Sequence, residues 1–150
     1  MDYLDGGDLR YHIGKKGKFT EAESKFFLAN LIIGLEYIHN CNIIHRDIKP
    51  ENLVLEKDGY LRITDMGISR EWREDNQQDT SGTPGYMAPE VMVRKSHGFS
   101  VDYFAVGVMG YEFMLGRRPY VGKNRKEIRD QILAKQAGIR MEDLPKRWSV

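Results

Sequence analysis

The sequence is poor in cysteine, and its charges of opposite sign nearly cancel. Cys41 is the single cysteine among 150 residues, which excludes an intramolecular disulfide and a metal site built from several cysteines. We expect this side chain to be a small buried or half-buried residue. The 23 basic and 22 acidic residues leave a net charge of +1, without the basic surface of a general nucleic-acid binder. We therefore expect no nucleic-acid partner.

Long apolar runs are also missing. No stretch approaches the ~20 consecutive apolar residues of a transmembrane helix, and no basic segment followed by an apolar one marks a secretory leader. The sequence therefore predicts a soluble, cytoplasmic protein without membrane insertion, and it indicates no oligomeric state. Its 41% hydrophobic content is enough for one core, so we expect one domain or part of one.

Three helices can be predicted from local patterns. A capping box at Thr20 to Glu23 precedes apolar residues at helical spacing, which we expect to be core. These residues are Phe27, Leu28, Leu31, Ile32, Leu35 and Ile38. The stretch 100–115 is apolar nearly all round and is followed by Gly116, which predicts a buried central helix. A further helix, from Asn124 to about Lys135, is expected to have Ile128, Ile132 and Leu133 on its inner face.

Between the first two helices, Asp58-Gly59 separates two short apolar runs and predicts a β-hairpin. A reversal between these two residues places Asn52 opposite Asp65, with Asp47 shortly before Asn52. Oxygen ligands of this kind suit Mg²⁺, which completes its shell with water and phosphate oxygens. Alternatively, Asp47 and Asp65 are turn residues that accept hydrogen bonds from backbone amides. The four histidines have no metal-ligand spacing, so zinc is not expected.

Three motifs together resemble the eukaryotic protein kinases, in the larger C-terminal lobe of their fold. The stretch from His45 to Asn52 looks like the kinase catalytic loop, Asp65-Met66-Gly67 stands in the place of the metal-binding triplet, and Ala88-Pro89-Glu90 matches the end of the activation segment. Residues 1–7 resemble the hinge between the lobes, and Asp102 to Gly107 resembles the start of the central helix.

The resemblance implies an α/β (α+β) protein-kinase-like fold, here a mainly α-helical C-terminal lobe with a small β-hairpin. Residues 1–7 would be the hinge, and residues 8–150 would be this lobe, truncated at its C-terminal end and without the N-terminal lobe. Lys49 and Gly82-Thr83-Pro84 are of the serine/threonine type, and Gly6-Gly7-Asp8-Leu9 is closest to the AGC group. The implied activity is transfer of the ATP γ-phosphate, with Mg²⁺, to serine or threonine of protein substrates.

The resemblance also implies roles for single residues. Asp47 would accept or orient the proton of the substrate hydroxyl, Lys49 would neutralise the moving phosphate, and Asn52 and Asp65 would hold magnesium. Thr83 belongs to the same catalytic group. The other positions expected to contact the nucleotide are Asp2, Leu4, Asp8, Glu51 and Val54.

Supporting and regulatory roles are implied as well. His45 is expected to pack against Met66, although a general-base role is an alternative, and Asp102 is expected to hold the backbone near His45 and Arg46. Arg46 would receive a negative charge from the activation segment. Asp79 stands where related kinases carry a phosphorylated threonine, so a fixed carboxylate would replace that phosphate; modification of Thr80 or Ser81 is the alternative.

Substrate preference follows from acidic residues in the same way. By resemblance, Glu51 and Glu112 receive an arginine two residues before the phosphoacceptor, and Asp8 meets the ATP ribose and a more distant arginine. A preference for arginine two or three residues upstream is therefore expected. The alternative is that Glu51 is a surface acid of the loop and Glu112 is paired within the helix packing.

Several kinase features have no counterpart in these 150 residues. They contain no Gly-rich loop, no Val-Ala-Ile-Lys strand, no helix glutamate to pair with that lysine, and no downstream arginine to pair with Glu90. We expect a fragment of a longer kinase that is inactive alone. A non-catalytic pseudokinase or scaffold is the alternative, but such proteins typically lose one of the residues that are present here as Asp47, Asn52 and Asp65.

Overall fold

A computed structural model describes residues 5–73, 79–134 and 143. In the described parts the helices are α1 (Leu9–Lys16), α2 (Glu21–Asn40), α3 (Pro89–Met92), α4 (Ser100–Leu115) and α5 (Arg125–Ala134), with a 3-10 turn at Pro50–Asn52. The strands are β1 (Ile43–Ile44), β2 (Leu53–Leu55), β3 (Leu61–Ile63) and β4 (Arg70–Glu71). Two antiparallel pairs form, β1 with β4 and β2 with β3. None of the described helices has the length and apolar character needed to cross a membrane.

Helix α2 begins as its sequence predicts. The Thr20 amide donates to Glu23 Oε2 at 2.9 Å, and the Glu23 amide donates to Thr20 Oγ1 at 3.2 Å, which is a complete capping box. Leu31 and Leu35 are fully buried. Ile32 is exposed, so its assignment to the core was wrong. The apolar stripe is wider than the face that packs on α4, and Ile32 instead lines an apolar groove beside Phe104.

Helix α4 is the centre of the core and has the predicted bounds. Most of its side chains are buried, and two of them are acidic, Asp102 and Glu112. Buried carboxylates require hydrogen-bonding or charged partners. Those partners position the site described below.

Gly116 ends α4 in the left-handed conformation, with φ of 70°, and a Cβ there would lie 2.6 Å from the carbonyl oxygen of Gly17. We expect Gly116→Ala to destabilise the fold by at least the ~1–2 kcal/mol that this conformation costs a residue with a Cβ. Gly14→Ala, in open space on α1, is the matched control and should stabilise by ~0.5–1 kcal/mol. Urea unfolding measures the stability of both variants. Equal unfolding midpoints would show that neither the left-handed conformation of Gly116 nor its approach to Gly17 limits stability.

The β2–β3 hairpin forms, but its register differs from the prediction by one residue. Leu53 pairs with Ile63, and the Thr64 amide donates to the Asn52 carbonyl at 2.9 Å, so Thr64 rather than Asp65 lies opposite Asn52. The reason is a three-residue loop instead of a two-residue one, closed by Gly59 with φ of 87°. Asp65 follows one residue beyond this pair.

Helix α5 is capped as expected, because Asn124 Oδ1 accepts from the Glu127 amide at 2.9 Å. Ile132 is buried and Ile128 packs partly against the core. Leu133 is exposed, so its placement on the inner face was wrong. Lys135 lies outside the described residues.

Candidate active site

The buried Asp102 carboxylate on α4 accepts hydrogen bonds from the loop between β1 and β2. Its Oδ1 accepts from the Arg46 amide at 2.8 Å, and its Oδ2 accepts from the His45 amide at 2.9 Å. His39 Nε2 lies 2.8 Å from the same Oδ2. Arg46 has φ of 69°, which is unfavourable for a side chain of this size. The buried carboxylate therefore fixes a strained loop to the central helix.

Asp47 is the centre of a hydrogen-bonded group on this loop. Lys49 Nζ lies 2.6 Å from Asp47 Oδ2, and Asn52 Nδ2 donates to the same oxygen at 3.2 Å. Thr83 donates to Asp47 Oδ1 from its hydroxyl at 2.7 Å and from its amide at 3.1 Å. Lys49 Nζ also donates to Thr83 Oγ1 at 3.0 Å. The structure thus brings together the four residues that the sequence predicts to be catalytic.

The charge state of Asp47 follows from these contacts. Burial by itself raises the pKa of the carboxyl, but the hydrogen bonds from Lys49, Thr83 and Asn52 and the charge of Lys49 outweigh it, so the pKa is lowered from its usual value. Asp47 is therefore ionised throughout the neutral range. An oriented carboxylate of this kind can accept a hydrogen bond or a proton from a hydroxyl placed against it.

Asn52 and Asp65 are arranged differently from each other. Asn52 is buried and donates through Nδ2 to the Asp47 carbonyl at 2.8 Å, which leaves its Oδ1 as the ligand atom for a cation. Asp65 is exposed, has φ of 60°, and accepts from the Gly67 amide at 3.1 Å. That contact is the turn role given as the alternative for this residue. In the described ranges no direct hydrogen bond joins Asp65 to Asn52, and no cluster of three acidic, histidine or cysteine side chains is placed to hold a metal.

His45 and Met66 have different surroundings. His45 is completely buried, its Nε2 lies 3.1 Å from the Thr64 carbonyl oxygen, and its Nδ1 accepts from the Asp47 amide at 3.3 Å. Both ring nitrogens are engaged by the backbone, which favours a structural role over a general base. Met66 is 45% exposed, and its sulfur accepts a hydrogen bond from Ser69 at 3.5 Å; its packing against His45 stays a prediction.

Cys41 is also exposed rather than buried, because it follows the last residue of α2 at the surface. It lines a shallow groove with Met66 and Ile43.

Asp79 joins the segment before Gly82 to the loop at residues 45–52. Asp79 Oδ2 lies 2.7 Å from Arg46 Nη1 and 3.2 Å from Arg70 Nη2. The other oxygen, Asp79 Oδ1, accepts hydrogen bonds from the Ser81 amide at 3.0 Å and from the Ser81 hydroxyl at 2.6 Å. The hydrogen bonds from Ser81 and Arg46 hold the pKa of Asp79 well below its usual range. Gly82 follows with φ of 130°, and a Cβ there would lie 2.9 Å from the Arg46 carbonyl oxygen. Arg46 therefore meets a permanent negative charge without any modification.

By the resemblance to protein kinases, we expect Asp79→Ala in the complete gene product to lower phosphoryl-transfer activity by about tenfold or more, because a charge-assisted contact worth ~1.5–3 kcal/mol is lost beside the loop at residues 45–52. Protease cleavage between Gly67 and Gly82 should become faster. Glu36→Ala, at an exposed position of α2, is the control and should change neither. If Thr80→Ala silences the enzyme and Asp79→Ala does not, regulation is by phosphorylation instead.

The two acidic residues predicted to bind a substrate arginine are already paired. Arg10 on α1 donates from Nε to Glu51 Oε1 at 2.8 Å and from Nη1 to Glu112 Oε1 at 2.7 Å. Tyr86 donates its hydroxyl to Glu112 Oε2 at 2.7 Å. Arg10 and Tyr86 were not among the residues predicted from the sequence. The signal that was available is that a buried acid on an apolar helix needs a cation from elsewhere in the chain.

The remaining predicted positions occupy the edges of the site. Asp8 caps α1 by accepting from the Tyr11 amide at 2.8 Å, and its backbone forms a bridge with Val54 of β2. Glu90 lies in the first turn of α3. The Thr80 carbonyl accepts from Arg125 Nη2 at 2.9 Å. Asp2 and Leu4 lie outside the described residues.

Comparison with known proteins gives consistent matches. The protein kinase domain model matches residues 1–149. Human ribosomal protein S6 kinase alpha-1 is 42% identical over 141 residues, which are 93% of this chain and 19% of that protein. RAC-beta serine/threonine-protein kinase of Rattus norvegicus is 40% identical over 138 residues, 91% of this chain and 29% of that protein. The chain thus spans less than a third of the length of these relatives.

Proposed function

The chain belongs to the protein kinase family, and on that premise we propose that the complete gene product transfers the γ-phosphate of ATP to serine and threonine residues of proteins. Its relatives are serine/threonine kinases of the AGC group. Residues 1–7 would form the hinge and residues 8–150 the C-terminal lobe of the kinase domain. A cytoplasmic location stays a prediction.

The observation that carries this proposal is the ionised Asp47 carboxylate held by Lys49, Thr83 and Asn52. Phosphoryl transfer asks a protein mainly to position the reacting groups and to stabilise charge. Asp47 orients the acceptor hydroxyl and takes its proton, while Lys49 supplies positive charge next to the transferred group. Thr83 keeps both side chains in place from the activation segment.

The donor set fits a nucleotide with magnesium. Asn52 keeps an amide oxygen for a cation, and Asp65 supplies an exposed carboxylate directly after the residue paired with Asn52. One or two carboxylates or amides with phosphate oxygens and water are the usual ligands of Mg²⁺, which neutralises phosphate charge when bound. Asp8, Glu51 and Val54 would line the nucleotide side of the same loop, with Asp2 and Leu4 from the hinge.

The substrate side is proposed to accept proteins with basic residues upstream of the acceptor. Glu51 and Glu112 are the carboxylates suited to a guanidinium, whose fork matches them geometrically. Arg10 already pairs with both carboxylates, so a substrate guanidinium has to compete with it.

Phosphoamino-acid analysis tests the proposed function. The complete gene product is incubated with radiolabelled Mg·ATP and a mixed protein substrate, and the hydrolysed product is separated. We expect phosphoserine and phosphothreonine. Phosphotyrosine alone would contradict the serine/threonine assignment, and tight nucleotide-independent binding of partners without any transfer would favour a scaffold.

A further inference from the structure

Arg10, Glu51, Tyr86 and Glu112 form one closed cluster, here named the arginine pocket. Two guanidinium nitrogens of Arg10 face the two oxygens of Glu112, with Nη1–Oε1 at 2.7 Å and Nη2–Oε2 at 3.2 Å. The third nitrogen, Nε, donates to Glu51. The Arg10 guanidinium also donates to the Tyr86 hydroxyl, which in turn donates to Glu112. This is a bidentate arginine site completed by a second acid.

Burial differs across the arginine pocket. The side chain of Glu112 is 5% exposed, while those of Arg10 and Glu51 are 34% and 42% exposed. A buried carboxylate must stay paired, since removing its cation leaves an uncompensated charge. Burial and the Glu112 carboxylate also raise the pKa of Tyr86 above its usual range, so Tyr86 remains a neutral donor. Glu112 is the buried base of the pocket, and both Arg10 and Glu51 reach solvent.

The arginine pocket is joined to the catalytic group at two points. Glu51 stands in the same loop as Asp47, between Lys49 and Asn52. The Tyr86 amide donates to the carbonyl of Thr83 at 2.9 Å, and Thr83 contacts Asp47. A peptide whose hydroxyl lies at Asp47 would therefore pass within reach of the pocket.

We propose that Arg10 is a specificity-determining residue that occupies the arginine pocket in place of a substrate arginine. The inference rests on the proposed kinase function. A substrate guanidinium can enter only by displacing Arg10, and it then replaces contacts that Glu51 and Glu112 already had. Because the exchange conserves the number of charge-assisted hydrogen bonds, it adds little binding energy. The native enzyme therefore discriminates weakly for arginine, although the two acids alone would discriminate strongly.

Peptide binding to the complete gene product tests this. Two fluorescent peptides differ only in arginine or alanine two residues before the serine, and fluorescence anisotropy gives the ratio of their dissociation constants. We expect a ratio within about threefold for the native protein and about tenfold or more in favour of the arginine peptide for Arg10→Ala. Glu51→Gln added to Arg10→Ala should reduce the gained preference. An Arg10→Ala ratio equal to the native one overturns the proposal.

Two further variants keep the test decisive. Arg10→Gln retains an amide donor to Glu112 without the positive charge, so it serves if Arg10→Ala does not fold, and the same increase is expected. Arg62→Ala removes a mostly exposed arginine that pairs with Glu56 at 2.7 Å, and it should leave the ratio unchanged. Phosphate transfer is measured separately: its complete absence with both peptides counts against the kinase function, while the binding ratios still decide the role of Arg10.

Discussion

Asp47→Asn in the complete gene product is expected to lower kcat by about 10²–10⁴-fold, with nucleotide affinity nearly unchanged. The amide cannot take the proton of the substrate hydroxyl. In the native protein Lys49 and Asn52 donate to one Asp47 oxygen and Thr83 donates to the other. The substitution replaces one of these oxygens with an NH₂ group, which cannot accept those hydrogen bonds. Steady-state kinetics and equilibrium nucleotide binding on the same preparation measure the two quantities.

Asp65→Ala supplies the contrast, since Asp65 is proposed to act on magnesium rather than on the hydroxyl. It should weaken binding of Mg·ATP, whereas Asp47→Asn should not. Asp58→Asn is a matched control on the hairpin loop, where the carboxylate accepts from the Tyr60 amide at 3.1 Å. Equal losses of nucleotide affinity in Asp47→Asn and Asp65→Ala would mean that the two roles are wrongly assigned.

The 150-residue polypeptide expressed alone is expected to bind ATP weakly or not at all and to show no measurable phosphate transfer. These residues contain neither a Gly-rich loop to cover the phosphates nor a strand lysine to pair with them, and both groups contribute to nucleotide binding in protein kinases. Isothermal titration with Mg·ATP and an autophosphorylation assay measure this. Robust autophosphorylation by the isolated polypeptide would refute the expectation.

Local signals in the sequence were sufficient to predict the main helices. The capping box at Thr20 and Glu23 and the glycine after Leu115 fix helix ends through contacts between near neighbours, and both helices have the expected bounds. The hairpin was predicted as an element but not in register. The conformation of Gly59 decides between a two- and a three-residue loop, and the pattern Asp-Gly is compatible with both.

Contacts between distant residues were harder to predict. Asp102 was expected to meet the loop backbone only because of the family resemblance, and His39 was not expected to join it. Arg10 and Glu112 are 102 residues apart in the sequence, and they meet only in the folded chain, where α1 also packs against the 3-10 turn at residues 50–52. The family pattern suggested what Glu51 and Glu112 bind, but not that this chain supplies the ligand itself.

The central claim is that Asp47 meets the acceptor hydroxyl while Asn52 and Asp65 hold the metal of the nucleotide. A crystal structure of the complete gene product with magnesium, a non-hydrolysable ATP analogue and a serine peptide tests it most directly. We predict the serine hydroxyl within ~2.6–3.2 Å of the Asp47 carboxylate and magnesium bound by Asn52 Oδ1 and the Asp65 carboxylate at ~2.0–2.1 Å. A hydroxyl placed against a different side chain, or magnesium bound without these two residues, would contradict the account.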